Sequence, residues 1–156
     1  MKILECLSVR TVKTALAGRA NKQQIIEELV DLLVGEGKVA DRQSFVEAIF
    51  KREQSVSTAI GEGVAIPHAK AEGIPAPCIA IAICPEGVAC DTPDSKPIKV
   101  FALIASSPRD AGAQLKILAA LSRCIKVPGF LAQFVATQTS QEVMDVFGRF
   151  EEVTRL

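Results

Sequence analysis

Apolar positions along this chain first recur at helical spacing, then run without interruption, then return to helical spacing. Ile25, Ile26, Leu29, Val30, Leu32 and Leu33 form one helical stripe. Asn21 stands ahead of it as an N-cap, and Gly35 and Gly37 stand behind it as a stop. Asp41 opens a second helix with Phe45, Ala48 and Ile49 on its inner face, running to about Arg52 and Glu53. Residues 55–60 are β-prone. Gly61 and Gly63 bracket Glu62, which marks a tight turn or a close backbone approach. Residues 64–66 read as a buried strand that stops at Pro67, leaving His68 at a strand end and residues 69–73 as a loop. Residues 78–84 are continuously apolar, as in a strand covered on both faces. Residues 98–104 form another strand, and the stretch from 85 to 97 between them is turn-rich. Helical spacing returns with Leu115, Leu118, Ala119, Leu121, Ser122 and Ile125, until Pro128 and Gly129 break it. A short helix over 130–136 follows. Ser140 then caps a last helix carrying Val143, Val146, Phe147 and Phe150.

The order is two helices, several strands, then three helices. It predicts a single α/β domain over residues 1–156, a small mixed β-sheet with helices on its faces. A chain of 156 residues buries one substantial core without staples. Eighteen basic residues balance eighteen acidic ones, so the electrostatic footprint of a nucleic-acid binder is missing. There is no Trp or Tyr, and the seven Phe are scattered, so no base-stacking platform is visible. The N-terminal apolar stretch is short and broken by Glu5, Arg10 and Lys13, unlike a secretory signal. The longest apolar runs are far too short to span a bilayer. A soluble, cytoplasmic protein without membrane insertion is expected.

Cys6, Cys78, Cys84, Cys90 and Cys124 form no CxxC pair, and one histidine cannot complete a Cys/His zinc set. They read as free, mostly buried thiols. Asp91, Asp94 and Asp110 lack metal-ligand spacing. No third glycine follows Gly61 and Gly63 at dinucleotide spacing, and neither a Walker sequence nor a GxSxG elbow is present. No metal or cofactor is expected.

His68 is the only histidine. It follows a glycine-bracketed turn, a buried strand and a proline that fixes one dihedral. In α/β folds, ligands and reactions gather at strand ends. Neutral imidazole keeps a nitrogen lone pair near pH 7, so it attacks phosphorus without a strong base. Phosphoryl transfer then needs positive charge or oriented N–H donors around the phosphoryl oxygens. Arg52 is the candidate clamp, through its guanidinium fork. Thr58 is a candidate hydroxyl, and Glu62 a candidate for orienting the ring. From the residues alone, a structural histidine and a solvated helix-end arginine stay open.

Arg52-Glu53, Ser57-Thr58 and the run Ile60-Gly61-Glu62-Gly63-Val64-Ala65-Ile66-Pro67-His68 resemble the signature of the enzyme IIA proteins of the bacterial phosphoenolpyruvate-dependent sugar phosphotransferase system. The match is to the fructose/mannitol/nitrogen-regulatory type. Gly37-Lys38-Val39, Leu103-Ile104-Ala105 and the segment from Gln114 to Ser122 continue it over nearly the whole chain. The resemblance implies a phosphotransferase component with a mixed sheet flanked by helices. It implies that His68 accepts phosphate from the carrier HPr and passes it to a IIB protein, or that its phosphorylation state is a regulatory signal. It implies that Arg52 is the active-site arginine and that Thr58 and Glu62 line the site. Two positions depart from the pattern. Gln114 stands where many relatives carry a second active-site histidine, so the resemblance implies a phosphate-binding or orienting place for it; its amide can donate a hydrogen bond to phosphate but cannot carry charge or titrate. Ala59 stands where glycine is common. A binding module that controls a partner by contact alone, without transfer, is the competing reading. For docking, an apolar patch of Ile66, Ala69 and the helix near Gln114 is expected around His68.

Overall fold

The computed structural model describes residues 2–14, 16, 21–55, 58–90, 94–110 and 112–154. Val56, Ser57 and Asp91 lie outside the described residues. In chain order come α1 (Ile3–Cys6), a 3-10 turn, β1 (Val12–Lys13), α2 (Lys22–Gly35) and α3 (Arg42–Ser55). Next come β2 (Ala59–Gly61), β3 (Val64–Ala65), β4 (His68–Lys70), β5 (Cys78–Val88) and β6 (Ile98–Ser106). The chain closes with α4 (Ala113–Lys126), α5 (Phe130–Val135) and α6 (Ser140–Thr154). This is the expected α/β class.

The two early helices begin where their caps predict. The Asn21 side chain accepts from the Gln24 N–H at 2.8 Å, and the Asp41 carboxylate accepts from the Ser44 N–H at 3.1 Å. The last helix differs from expectation. Thr139, not Ser140, is its cap, accepting from the Glu142 N–H at 3.1 Å. The Ser140 hydroxyl instead donates to the Val12 carbonyl at 3.2 Å.

Among the described residues the sheet has six strands. Its order is β1-β5-β6-β3-β2, with β4 also paired to β6. β5 and β6 are antiparallel, whereas β1 on β5 and both β3 and β4 on β6 are parallel. β5 sorts its apolar run by size. Cys78, Ala80, Ala82 and Cys84 face the core beneath α2 and α3, and Ile79, Ile81 and Ile83 face the core beneath α4 to α6. Small residues on one side let α2 lie close, and β-branched ones fill the other. Four of the seven phenylalanines gather in the second core. The Phe134 and Phe147 ring centroids lie 4.8 Å apart, with Phe130 and Phe150 alongside.

Three expectations change. β5 runs past Cys84 to Val88, because pairing with β6 resumes beyond a shift of register, Val88 opposite Ile98. Residues 68–70 are a strand rather than a loop, held by β6. The buried face of α4 is Ala113, Ile117, Ala120, Leu121 and Cys124, while Leu115 is 72% exposed and Ala119 is exposed. The short α1 and β1 add to the expected order. Buried Glu151 of α6 holds α1 in place by accepting the N–H groups of Ile3 at 2.6 Å and Leu4 at 3.3 Å, which the helix start leaves free.

Candidate functional site

β3 and β4 are one strand interrupted. Val64 faces Val100, Ala65 faces Phe101, His68 faces Ile104 and Lys70 faces Ser106. The offset to β6 never changes across Pro67, whose carbonyl still accepts from the Ile104 N–H at 2.9 Å. The interruption lies on the outer side. The Ile66 N–H turns to the Thr58 carbonyl at 3.0 Å, and proline offers no N–H after it. β2 ends its pairing there, so β4 has β6 as its one strand partner.

Side chains alternate along this strand. Ala65, Ala69 and Ala71 enter the α2/α3 core, and Val64 and Ile66 enter the other. His68 shares the side of Ile66 and its partner Ile104, toward α4. Its ring is half-buried. Nδ1 lies 2.7 Å from the Ile66 carbonyl oxygen. A carbonyl only accepts, so Nδ1 carries the proton, and in the neutral ring Nε2 holds the free lone pair.

Arg52 sits in the last turn of α3, half-buried. That helix packs against β4 from the side of Ala69, the face opposite the ring. Thr58 is buried beside Ile66, and its hydroxyl donates to Glu53 Oε1. Lys22 Nζ lies at ion-pair distance from the other oxygen, Oε2, without hydrogen-bond alignment, so charge rather than direction holds it. Lys22, Glu53 and Thr58 thus tie α2, α3 and the start of β2 together next to the site. Thr58 spends its proton on Glu53, which leaves it only lone pairs and no donor for a phosphoryl oxygen.

Glu62 is not brought to the ring. It forms the tip of the β2–β3 hairpin, where φ is +58° at Glu62 and +78° at Gly63, the backbone of a type I′ turn. The Asp94 carboxylate holds this turn by accepting the Glu62 N–H at 2.9 Å, and that bond, then the one from the Lys96 N–H, keeps the Asp94 carboxyl below its usual range. The exposed Glu62 carboxylate lies 3.9 Å from Lys96 Nζ. Val64 and His68 are four residues apart along β6's register, about 13 Å at strand rise, and Glu62 lies beyond Val64.

Gln114 is in the first turn of α4, and its Nε2 is buried without a hydrogen-bond partner. Ile66 and Ala69 are both buried, so neither forms part of a docking patch. The exposed apolar residue beside Gln114 is Leu115. A surface cleft of about 650 Å³ lies between Glu72–Pro75 and Ser107–Asp110, but His68 does not line it.

Sequence reasoning missed the tie between Glu53 and Lys22. Glu53 sits among polar neighbours on a helix, and only the fold reveals that its side chain is 8% exposed. Among the described residues, no group of three or more His, Cys, Asp and Glu side chains is arranged to hold a metal ion. No helix there is long and apolar enough to cross a membrane. All five cysteines are free, and burial pushes the thiol of Cys78 up to about 12 and that of Cys84 up to about 11.

A sequence model of the family described as "Phosphoenolpyruvate-dependent sugar phosphotransferase system, EIIA 2" matches residues 6–149. The fructose-specific EIIA component of Haloferax volcanii is 35% identical over 133 residues, covering 85% of this chain and 86% of that protein. The fructose-specific EIIABC component of Bacillus subtilis is 32% identical over 152 residues, 97% of this chain, which spans 24% of that longer protein. The crystal structure of nitrogen regulatory protein IIA-Ntr from Neisseria meningitidis superposes with a TM-score of 0.84 at 26% identity, over 93% of this chain and 98% of that one. The chain belongs to the EIIA 2 family of the phosphoenolpyruvate-dependent sugar phosphotransferase system, and its broad role is that of a phosphotransfer component.

Proposed function

We propose that His68 Nε2 accepts a phosphoryl group from a phosphorylated HPr-type carrier. It then gives the group to a IIB protein, or displays it as a regulatory signal to a target protein. The observation that carries this reading is the 2.7 Å contact of Nδ1 with the Ile66 carbonyl, because it presents Nε2 as the nucleophile. In the transfer, the Nε2 lone pair forms the new N–P bond as the P–N bond of the donor phosphohistidine breaks. The donor imidazole recovers that electron pair, and the proton stays on His68 Nδ1, donated to the Ile66 carbonyl oxygen. No proton moves, so no general base is required. Arg52 supplies the positive charge that the phosphoryl oxygens need.

The test is to incubate the protein with phosphoenolpyruvate, enzyme I and HPr and to record the intact mass, beside His68→Ala. A gain of one acid-labile phosphate, absent from the variant, supports the carrier role. No gain with a competent HPr overturns it in favour of a contact-only regulatory module, for which Gln114 in place of a second histidine is the supporting feature.

A further inference from the structure

Two buried polar atoms at the His68 end of the sheet lack partners. Ser106 is 0% exposed, and its Oγ has no hydrogen-bond partner; the same holds for Nε2 of Gln114. Buried polar groups are nearly always satisfied, so each orphan calls for an explanation.

Their placement supplies one. Ile104 and Ser106 point to the same side of β6, and His68 sits opposite Ile104 in parallel register. The imidazole and the Ser106 hydroxyl therefore emerge on one face, one alternation apart. Beyond Ser106 comes α4, a helix of 14 residues packed on that same face. Its N-cap is Gly112, at φ +83°, which has no side chain to cap the helix. The amides of Gln114 and Leu115 are those that a helix start leaves without intrahelical acceptors. The positive end of the helix dipole points the same way.

We propose that the Ser106 hydroxyl and the Gln114 side-chain amide bind the oxygens of the phosphoryl group carried on His68 Nε2, at the uncapped N-terminus of α4. The inference rests on the carrier reading above. It gives both orphans their acceptor, which is absent until the phosphate arrives. It also explains how a site with a glutamine at position 114 holds a dianion. Two neutral donors and a helix end supply direction, and Arg52 supplies charge.

Ser106→Ala separates this role from a structural one. Removing a hydroxyl that satisfies nothing in the unphosphorylated protein should leave the melting temperature unchanged or raised. Phosphorylation by phospho-HPr should slow about tenfold, and phospho-His68 should shift in its phosphorus resonance. Gln114→Leu should slow the reaction similarly. The double variant should lose less than the product of the two single losses, because both groups grip one phosphate. Wild-type rates in Ser106→Ala, or losses that multiply independently, overturn the proposal while leaving the carrier reading intact. A wild-type protein that takes no phosphate overturns both.

Discussion

The centre of the sheet and its β3–β4 edge are built on opposite principles. β5 is 11 residues long, is paired on both sides by β1 and β6, and buries its apolar run in two cores. β3 and β4 are two and three residues long, separated by a proline and open on the outer side at His68. The centre gains from every buried methyl group. The edge gives up pairing and thereby frees the Ile66 carbonyl for the His68 ring. Stability is concentrated in the first region and chemistry in the second.

Substitutions should keep these two properties apart. His68→Ala should abolish phosphate uptake by mass while moving the urea midpoint only slightly, since the ring gives up a single hydrogen bond worth about 1 kcal/mol. A large stability loss would merge the two regions. Arg52→Ala should slow phosphorylation by about 100-fold, the usual cost of a lost charge-stabilising donor, with stopped quench-flow as the measure. Ile81→Ala should do the reverse. Its side chain is fully buried in the second core, so unfolding free energy should fall by about 2–5 kcal/mol, while the phosphorylation rate of the folded fraction stays at the wild-type value. Leu115→Asp should raise the apparent KM for phospho-HPr about tenfold with little change in kcat, on the proposal that the carrier docks over this exposed leucine. A further effect concerns pH. Burial raises the Cys78 thiol from 9.0 to about 12 and the Cys84 thiol from 9.0 to about 11. The folded state holds those protons more tightly, so their contribution is complete below pH 9 and is lost as pH rises toward 11 to 12. A urea midpoint that stays flat from pH 8 to 11 would remove these thiols from the account.

The same division governs what could be read from residues alone. The run 78–84 announces a strand because seven consecutive apolar residues need cover on both faces. Its extension to Val88 is silent, since Pro85, Glu86 and Gly87 carry no strand pattern and pairing with β6 resumes at Val88 only after a shift of register. β4 is silent for the same reason, as His-Ala-Lys has no period of its own. The caps at Asn21 and Asp41 are local and legible. The anchor of α1 is a glutamate 148 residues away, which no local pattern encodes. On α4, Leu115 matches the helical stripe yet faces outward. At the site, His68 and Arg52 carry recognisable chemistry, and the glycine bracket announces the turn at Glu62. Glu53 and Ser106 gain their interest from burial, which is a property of the fold.

The unbroken register across Pro67 has a consequence for how this site can change. A strand assigns side chains to its faces by odd and even count. One residue, at position 67, separates Ile66 from His68, and that count alone turns the imidazole toward α4. Removing Pro67, or adding a residue beside it, would deliver the histidine into the layer of Ala69 and Ala80 with its identity and its sequence neighbours intact. Substitution at position 67 is therefore open to variation in a way that length is not: the segment between the hairpin and the histidine behaves as a reading frame, in which parity is what must be preserved.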